Sequence, residues 1–392
     1  MFKMKQKRMC KVTKKFREMQ RILEKFCIFA SMEKIFAFMA LLIWLGCSSV
    51  YGQESSFMKR LVAYLDSSNV KGTDSEYIGL PEKKWRVIAS SSTDQLNMKI
   101  DTHMSGAEHG LMEGETLDMA MRIKPPVATS VGLWVGYRGY GGGYSLSMSG
   151  NKGINMSFNM SSPNNGINIR YRRFKFDEPE CEMVFTSGQS IETASFDGKA
   201  LGTPMDFESF VFDGYWLFNN KCVSLPAAYD QSTLQLRSAG SFIAGLMFYT
   251  QKYDFAHPNN FWFLITSDRI GKMQTWQGSL GAGYTYNWVP VKGLTLNAVV
   301  MPVITLFNHV KVSRYDIYPD EAQENILMTH SGDKNINGKV SLNLDTRVAA
   351  SYWMGNWFIS LIGQGQRFRY TYDTTTMKTV DWNVKASIGV IL

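Results

Sequence analysis

The chain is poor in the residues that usually announce chemistry. It has five cysteines in 392 residues, and none stands in a CxxC pair, so the common zinc frameworks are excluded. Histidine is equally scarce: His103, His109, His257, His309 and His330 are all there is. No apolar run is long enough for a transmembrane helix, because the longest, Ile35–Leu45, has eleven residues where about 20 are needed. A one-sided charge is also missing. The formal net charge is +8, but residues 1–52 carry eleven Lys and Arg against Glu18, Glu24 and Glu33, leaving 31 basic and 31 acidic residues of the total 42 and 34 from Gln53 onward. The basic isoelectric point therefore gives no ground for a nucleic-acid partner.

What is present is alternation. Between Val131 and Arg172, apolar and polar residues take turns: Ile154, Met156, Phe158 and Met160 are separated by Asn155, Ser157 and Asn159. Side chains on a strand alternate between faces, so this is a strand with one apolar and one polar side. The turn-forming SSPNNG of Ser161–Gly166 follows, then Ile167, Ile169 and Tyr171 alternate with Asn168, Arg170 and Arg172, which predicts a hairpin.

The front end reads as a leader: Lys34, the short apolar run, then small residues, with cleavage after Gly52 and Met32 as an alternative start. Lipid attachment at Cys47 is the rival reading. Glu54–Ser67 predicts a short amphipathic helix, with Phe57, Leu61 and Leu65 at spacings of four, inside a periplasmic segment running from 53 to 82. Strands follow from Trp85, over Leu96–Ile100 and over Leu117–Ile123, with a polar loop from His103 to Gly114. Around Gly139 and Gly141–Gly143 the alternation shifts parity, as a tight turn or as a bulge. No helix pattern or Lys-Ser/Thr ending follows those glycines, which argues against a phosphate loop. Phe174–Gln231 predicts irregular outer loops with two or more shorter strands.

Six strands are predicted at Phe242–Tyr253, Leu280–Trp288, Leu294–Leu306, Val340–Tyr352, Trp357–Tyr372 and Val380–Leu392. The joints at Val289–Gly293 and Trp353–Asn356 are short, whereas those at Asp254–Gly278 and Phe307–Gly338 are long and polar. Short periplasmic turns and longer outward loops are the habit of outer-membrane barrels. The last strand keeps an apolar residue at every second position to Leu392, which resembles the C-terminal insertion signal of such barrels. The expected fold is all-β: a transmembrane antiparallel up-and-down barrel of about 12 strands, within a range of 10 to 14, from 83 to 392. Its expected partners are outer-membrane lipid and the barrel-insertion machinery, with a small solute or a surface glycan as ligand and no cofactor.

At Gly132–Ser147, GLWVGYRGYGGGYSLS, the chain resembles a family of outer-membrane barrels from Bacteroides-type bacteria, the domain of unknown function numbered 4421. Gly136-Tyr137-Arg138-Gly139 and Gly143-Tyr144-Ser145 carry the resemblance. Tyr77-Ile78 and Ala239-Gly240-Ser241 are similar to further landmarks, and the resemblance spans about residues 75–392. It implies the barrel fold and brings no activity with it.

For chemistry, Arg138, Arg170 and Arg172 fall on the polar phase, as do Asp118 and Asp345, and are candidate lumen charges. They form either an anion-attracting constriction or ion pairs with lumen carboxylates. Cys181 and Cys222 would close a loop of about forty residues as a disulfide, stabilising by roughly 3 to 4 kcal/mol; two buried thiols is the other reading. Trp134, Trp288, Trp353, Trp357 and Tyr372 suit a membrane boundary, and Trp216, Trp262 and Trp276 suit glycan stacking beside external loops. Two further functions compete with the channel or surface-platform reading: an exported β-sandwich binding module, and a lipid-modifying barrel enzyme. Tyr249-Thr250-Gln251 is similar to a segment of outer-membrane phospholipases, but their His-x-Ser-Asn pattern is absent.

Overall fold

The computed structural model describes residues 72–105, 116–149, 152–176, 180–187, 190–196, 203–319, 326–337, 340–372 and 375–392. The leader, the helix read at Glu54–Ser67 and His109 lie outside them. In chain order the strands are β1 (Ile78–Gly79), β2 (Trp85–Ser105), β3 (Thr116–Lys124), β4 (Ala128–Tyr137), β5 (Tyr140–Ser149), β6 (Lys152–Ser161), β7 (Asn165–Phe176), β8 (Glu180–Ser187), β9 (Ser190–Phe196), β10 (Met205–Leu217), β11 (Leu234–Gln235), β12 (Ala239–Asp254), β13 (Ile270–Trp288), β14 (Leu294–Pro319), β15 (Ile326–Asn337), β16 (Ser341–Met354), β17 (Trp357–Tyr372) and β18 (Thr375–Ile391). Two short helices, α1 (Pro226–Tyr229) and α2 (Phe261–Thr266), lie in connections.

Twelve strands form one antiparallel cylinder in the order β18-β17-β16-β14-β13-β12-β10-β7-β6-β5-β4-β2. It closes by pairing β18 with β2, from Thr375↔Thr102 to Ile391↔Arg86. Closure leaves no open edge in the wall, as a strand-built membrane span requires. The Gly-rich shift proves to be a tight turn: Tyr137 faces Tyr140 across Arg138-Gly139, with Arg138 at φ 55°.

Two walls are strands broken in mid-course. β2 pairs with β4 as far as Asp94↔Ala128 and with β3 from Met98↔Ile123 onward. Between β3 and β4 lie Pro125 and Pro126, which have no N–H for the ladder; Gln95 Nε2 donates to the Pro125 carbonyl at 2.7 Å and covers the gap. Past the break β3 pairs with β8, and β8 with β9. Likewise β14 pairs with β16 near the turns and with β15 beyond His309. Of the stretches expected as long polar loops, 307–338 is largely strand, because its polar residues alternate with inward apolar ones and the ladder simply continues, whereas 254–278 keeps a connection over 255–269 before β13 begins at Ile270.

At the end with the short turns, the outward side chains are apolar and exposed, including Leu133, Phe242, Leu246, Val300, Leu361 and Ile388, while inward positions such as Ser92, Asp213, Asn297 and Asp381 are polar and buried. Further along the same strands the assignment reverses. Leu96, Met98 and Ile100 of β2 point inward, as do Phe207 of β10, Tyr253 of β12, Phe368 of β17 and Met377 of β18, in one buried apolar cluster. Lys252, Arg367 and Arg369 occupy the outward positions there. On these strands the parity holds and the chemistry assigned to each face is what reverses; β14 differs, its buried inward positions passing from Thr305 to Asn308 across a bulge opposite Gly278 and Ser279.

The connection 218–238, expected among the outer loops, enters the cylinder from the turn end. Val223, Leu225, Ala227, Ala228, Gln231 and Ser232 are all buried. Val223 and Leu225 pack on Ile243, Val299, Met301 and Val303 of the wall, and β11 pairs with β1 beneath them. Phe210, Phe212, Tyr215 and Trp216, inside the stretch expected as outer loops with shorter strands, belong to the wall strand β10.

Candidate lumen site

The interior at the turn end is a charge cluster built from opposite walls. On β7, Arg172 forms a forked pair with Asp381 of β18: Nη1 donates to Oδ1 at 3.2 Å and Nη2 to Oδ2. Arg347 of β16 donates from Nη2 to Asp345 at 2.8 Å and to Asp213 of β10 at 3.3 Å. Asn168 Nδ2 reaches the same Asp213 at 2.8 Å. Arg170 donates to Gln364 Oε1 at 3.1 Å. Removing such charges from water costs several kcal/mol each unless they are paired and hydrogen-bonded, which is why the acids and arginines face one another.

The inserted connection is tied to the wall through the same chemistry. Asp230 accepts from Ser161 Oγ at 2.7 Å and from the Ser232 backbone N–H at 2.8 Å. Tyr229 donates to Asn297 at 2.8 Å, and Ser351 Oγ donates to the Ala227 carbonyl at 3.1 Å. Above it remains a cavity of about 240 Å³, lined by Arg170, Arg172, Arg347 and Lys385 with Asp94, Asp213, Asp230 and Asp345.

The family-like motif has a packing explanation. A Cβ on Gly136 or on Gly141 would lie 2.0 Å from the Trp134 ring, so these positions stay bare to seat the indole flat inside the wall. Its Nε1 donates to Asn159 Oδ1 at 2.8 Å, and the Arg86 guanidinium lies 5.9 Å from the ring centre. Trp134 is therefore a lumen residue and not a boundary one. Trp85, Trp216, Trp288 and Trp357 are exposed indoles at the turn end of the wall.

Of the candidate lumen charges, Arg170, Arg172 and Asp345 line the cavity. Arg138 does not: it sits in the β4–β5 turn and donates to the Pro81 carbonyl at 3.0 Å, because the parity shift that suggested a polar face is the turn itself. Nor does Asp118, which pairs with His103 at 2.5 Å on an exposed part of β3, where the outward face is polar. Cys222 is a free thiol in the inserted connection, whereas residue 181 faces Ile123 of β3 at the far end, so no bridge joins them. Trp216 lies at the turn end of β10, opposite Asn165, and not beside an outer loop. His103, His309 and His330, read as loop residues, are on β2, β14 and β15. Sequence reasoning missed Asp94, Asp213, Asp381 and Lys385. Their signal was a lone charge on the polar phase of an apolar alternation, as in Val380-Asp381-Trp382 and Val384-Lys385-Ala386. Among the described residues no group of three or more His, Cys, Asp or Glu side chains could hold a metal ion.

A closed twelve-stranded cylinder with an apolar exterior and a polar core at one end is a transmembrane β-barrel of the outer-membrane type. Residues 73–390 match the model of the family described as Domain of unknown function (DUF4421), and the chain belongs to that family. No curated protein matches it. Among solved structures it is similar to the outer membrane protease OmpT from Escherichia coli at 12% identity and TM-score 0.39, covering 79% of this chain and 97% of that one. It is also similar to the translocator domain of the autotransporter NalP from Neisseria meningitidis at 10% identity and TM-score 0.30, covering 85% and 94%. A third is the Pseudomonas putida toluene transporter TodX, at 7% identity and TM-score 0.28, covering 84% and 93%.

Proposed function

We propose that this protein is a closed barrel of the outer membrane that anchors a β-rich platform on the outer face. After removal of the leader near Gly52, the turn end with its inserted connection faces the periplasm, and the extended strands face outward. The observation that carries this reading is that the interior is filled at three levels. The 218–238 connection occupies the turn end, the paired charges lie above it, and the apolar cluster seals the far end. Strand length supports the platform. A spanning strand needs about 9–11 residues, whereas β14 has 26 and β2 has 21. The surplus of β2 and β14, together with β3, β8, β9 and β15, stands beyond the apolar belt.

Planar-bilayer recording of the full chain, purified from membranes and shown by a heat-dependent gel shift to be folded, tests this. The expected record has no steady steps above the lipid baseline. Reproducible single-channel steps would replace the closed anchor with an open pore.

A further inference from the structure

The lumen charges are equal in number around the cavity, four of each sign, but they are not matched in space. Arg172 and Arg347 take up Asp345 and Asp213 of the lining and Asp381 beside it, and Arg172 also attracts Asp94. Arg170 and Lys385 line the same cavity, and among the described residues neither has a carboxylate within ion-pair distance. Arg170 hydrogen-bonds only the neutral Gln364 oxygen, and Asp213 and Asp381 attract it from beyond ion-pair distance. Lys385 is close enough to Arg170 for the two to repel, and Asp230 attracts it from beyond ion-pair distance while its own oxygens are engaged by Ser161, Asn159 and Ser232.

A second observation comes from the neutral groups beside them. Gln364 Nε2 and Ser387 Oγ are buried and have no hydrogen-bond partner, and both residues line this cavity. Gln364, Lys385 and Ser387 come from the adjacent strands β17 and β18, where Gly363 pairs with Val384 and Ile362 with Lys385. A buried donor left unmade costs about 1–3 kcal/mol, and an unpaired buried cation costs more. Asn155 Oδ1 and Asp345 Oδ1 also line the cavity without a partner, on β6 and β16, but the two like charges and the two unused donors gathered on β7, β17 and β18 are unfavourable as an empty arrangement. They are complementary to an acceptor that carries negative charge and several oxygens.

We propose that the cavity is a binding site for a small oxyanion, a phosphate, sulfate or carboxylate group, held between Arg170 and Lys385 with Gln364 Nε2 and Ser387 Oγ as neutral donors. The guanidinium supplies the directional contact and the ammonium a point charge. This goes beyond the anchoring role and does not depend on it: a barrel that conducts could carry the same site.

The test is equilibrium dialysis of the folded full chain against radiolabelled inorganic phosphate, with gluconate in competition as the carboxylate arm. The expected result is saturable uptake of one phosphate per barrel, displaced by gluconate and weakened at least tenfold in Lys385→Gln and in Arg170→Gln. Lys252→Gln, on the outer face, is the control and binds as the parent does. Should a lumen variant fail to show the folded gel shift, the parent alone decides. Phosphate then raises the temperature of its heat-dependent shift above that in chloride of equal ionic strength, because a ligand that binds only the folded state stabilises it. Absence of saturable uptake in the parent, or uptake unchanged in both folded lumen variants, would overturn the proposal.

Discussion

The two halves of the barrel interior are made by the same strands and obey opposite rules. Near the turns, the inward face of β18 reads Asp381, Asn383, Lys385, Ser387 and its outward face Val380, Val384, Ile388; a few residues toward the loops, Met377 points inward and Lys378 outward. β10 does the same, with Asp213 inward at one end and Phe207 at the other. The solvent outside decides. Where lipid surrounds the wall, apolar groups are free to face out and polar groups retreat inward to find partners. Where water surrounds it, burial of apolar surface takes over and the wall packs like a soluble core. The height at which the phase reverses marks the edge of the membrane.

Five variants probe this difference. The largest effect is expected for Phe207→Ala, since Phe207 is 1% exposed and contacts Phe174 and Tyr253; truncating a buried aromatic costs about 3–5 kcal/mol, read by urea unfolding in detergent. Next, Asp381→Ala leaves Arg172 buried and unpaired and costs about 3 kcal/mol or more, whereas Arg172→Met with Asp381→Leu returns most of the loss. If the double variant were as weak as the single one, the charges near the turns would be doing more than satisfying one another. Third, Leu246→Arg, on the outward face of the belt, costs about 2–4 kcal/mol in bilayers, while Thr250→Arg, four residues further along the same face, costs about 1 or less. Equal costs would remove the boundary drawn between them.

The smallest effect is electrostatic and lies outside the membrane. Lys311, Ser313 and His330 hold the exposed Asp333 carboxyl well below the usual carboxylate range, with Lys311 Nζ at 2.7 Å. A depressed folded value means that the contribution is complete above the ordinary Asp value of about 3.9 and is lost as pH falls toward the folded value. A carboxyl-carbon NMR titration should find Asp333 still ionised at pH 3, and Lys311→Gln should shift its midpoint upward.

The alternation that makes the barrel was legible along the chain, because one residue type per face repeats for long enough to fix strand, turn and neighbour. The lumen was legible only in part. Arg170, Arg172 and Asp345 sit on clean polar phases, but Arg138 and Asp118 looked the same, one in a turn and one beyond the phase reversal. Local alternation carries no information about height along the axis. The inserted connection was illegible for a different reason. Val223–Thr233 mixes apolar and polar residues without period, since it is buried on several sides at once by walls distant in sequence. Arg86, which is fully buried beside Trp134, belongs to the same class, because its surroundings come from another hairpin.

Nitroxide scanning along the outward face of β12 would settle the phase reversal. Single cysteines at Phe242, Leu246, Phe248, Thr250, Lys252 and Asp254, in a chain with the native cysteines replaced, are labelled and reconstituted in bilayers. Collision with oxygen should dominate at the first three positions and collision with a water-soluble nickel complex at the last two, with the crossover near Thr250. Oxygen access continuing to Asp254, or nickel access already at Leu246, would contradict a membrane edge at the height where the two faces exchange their chemistry.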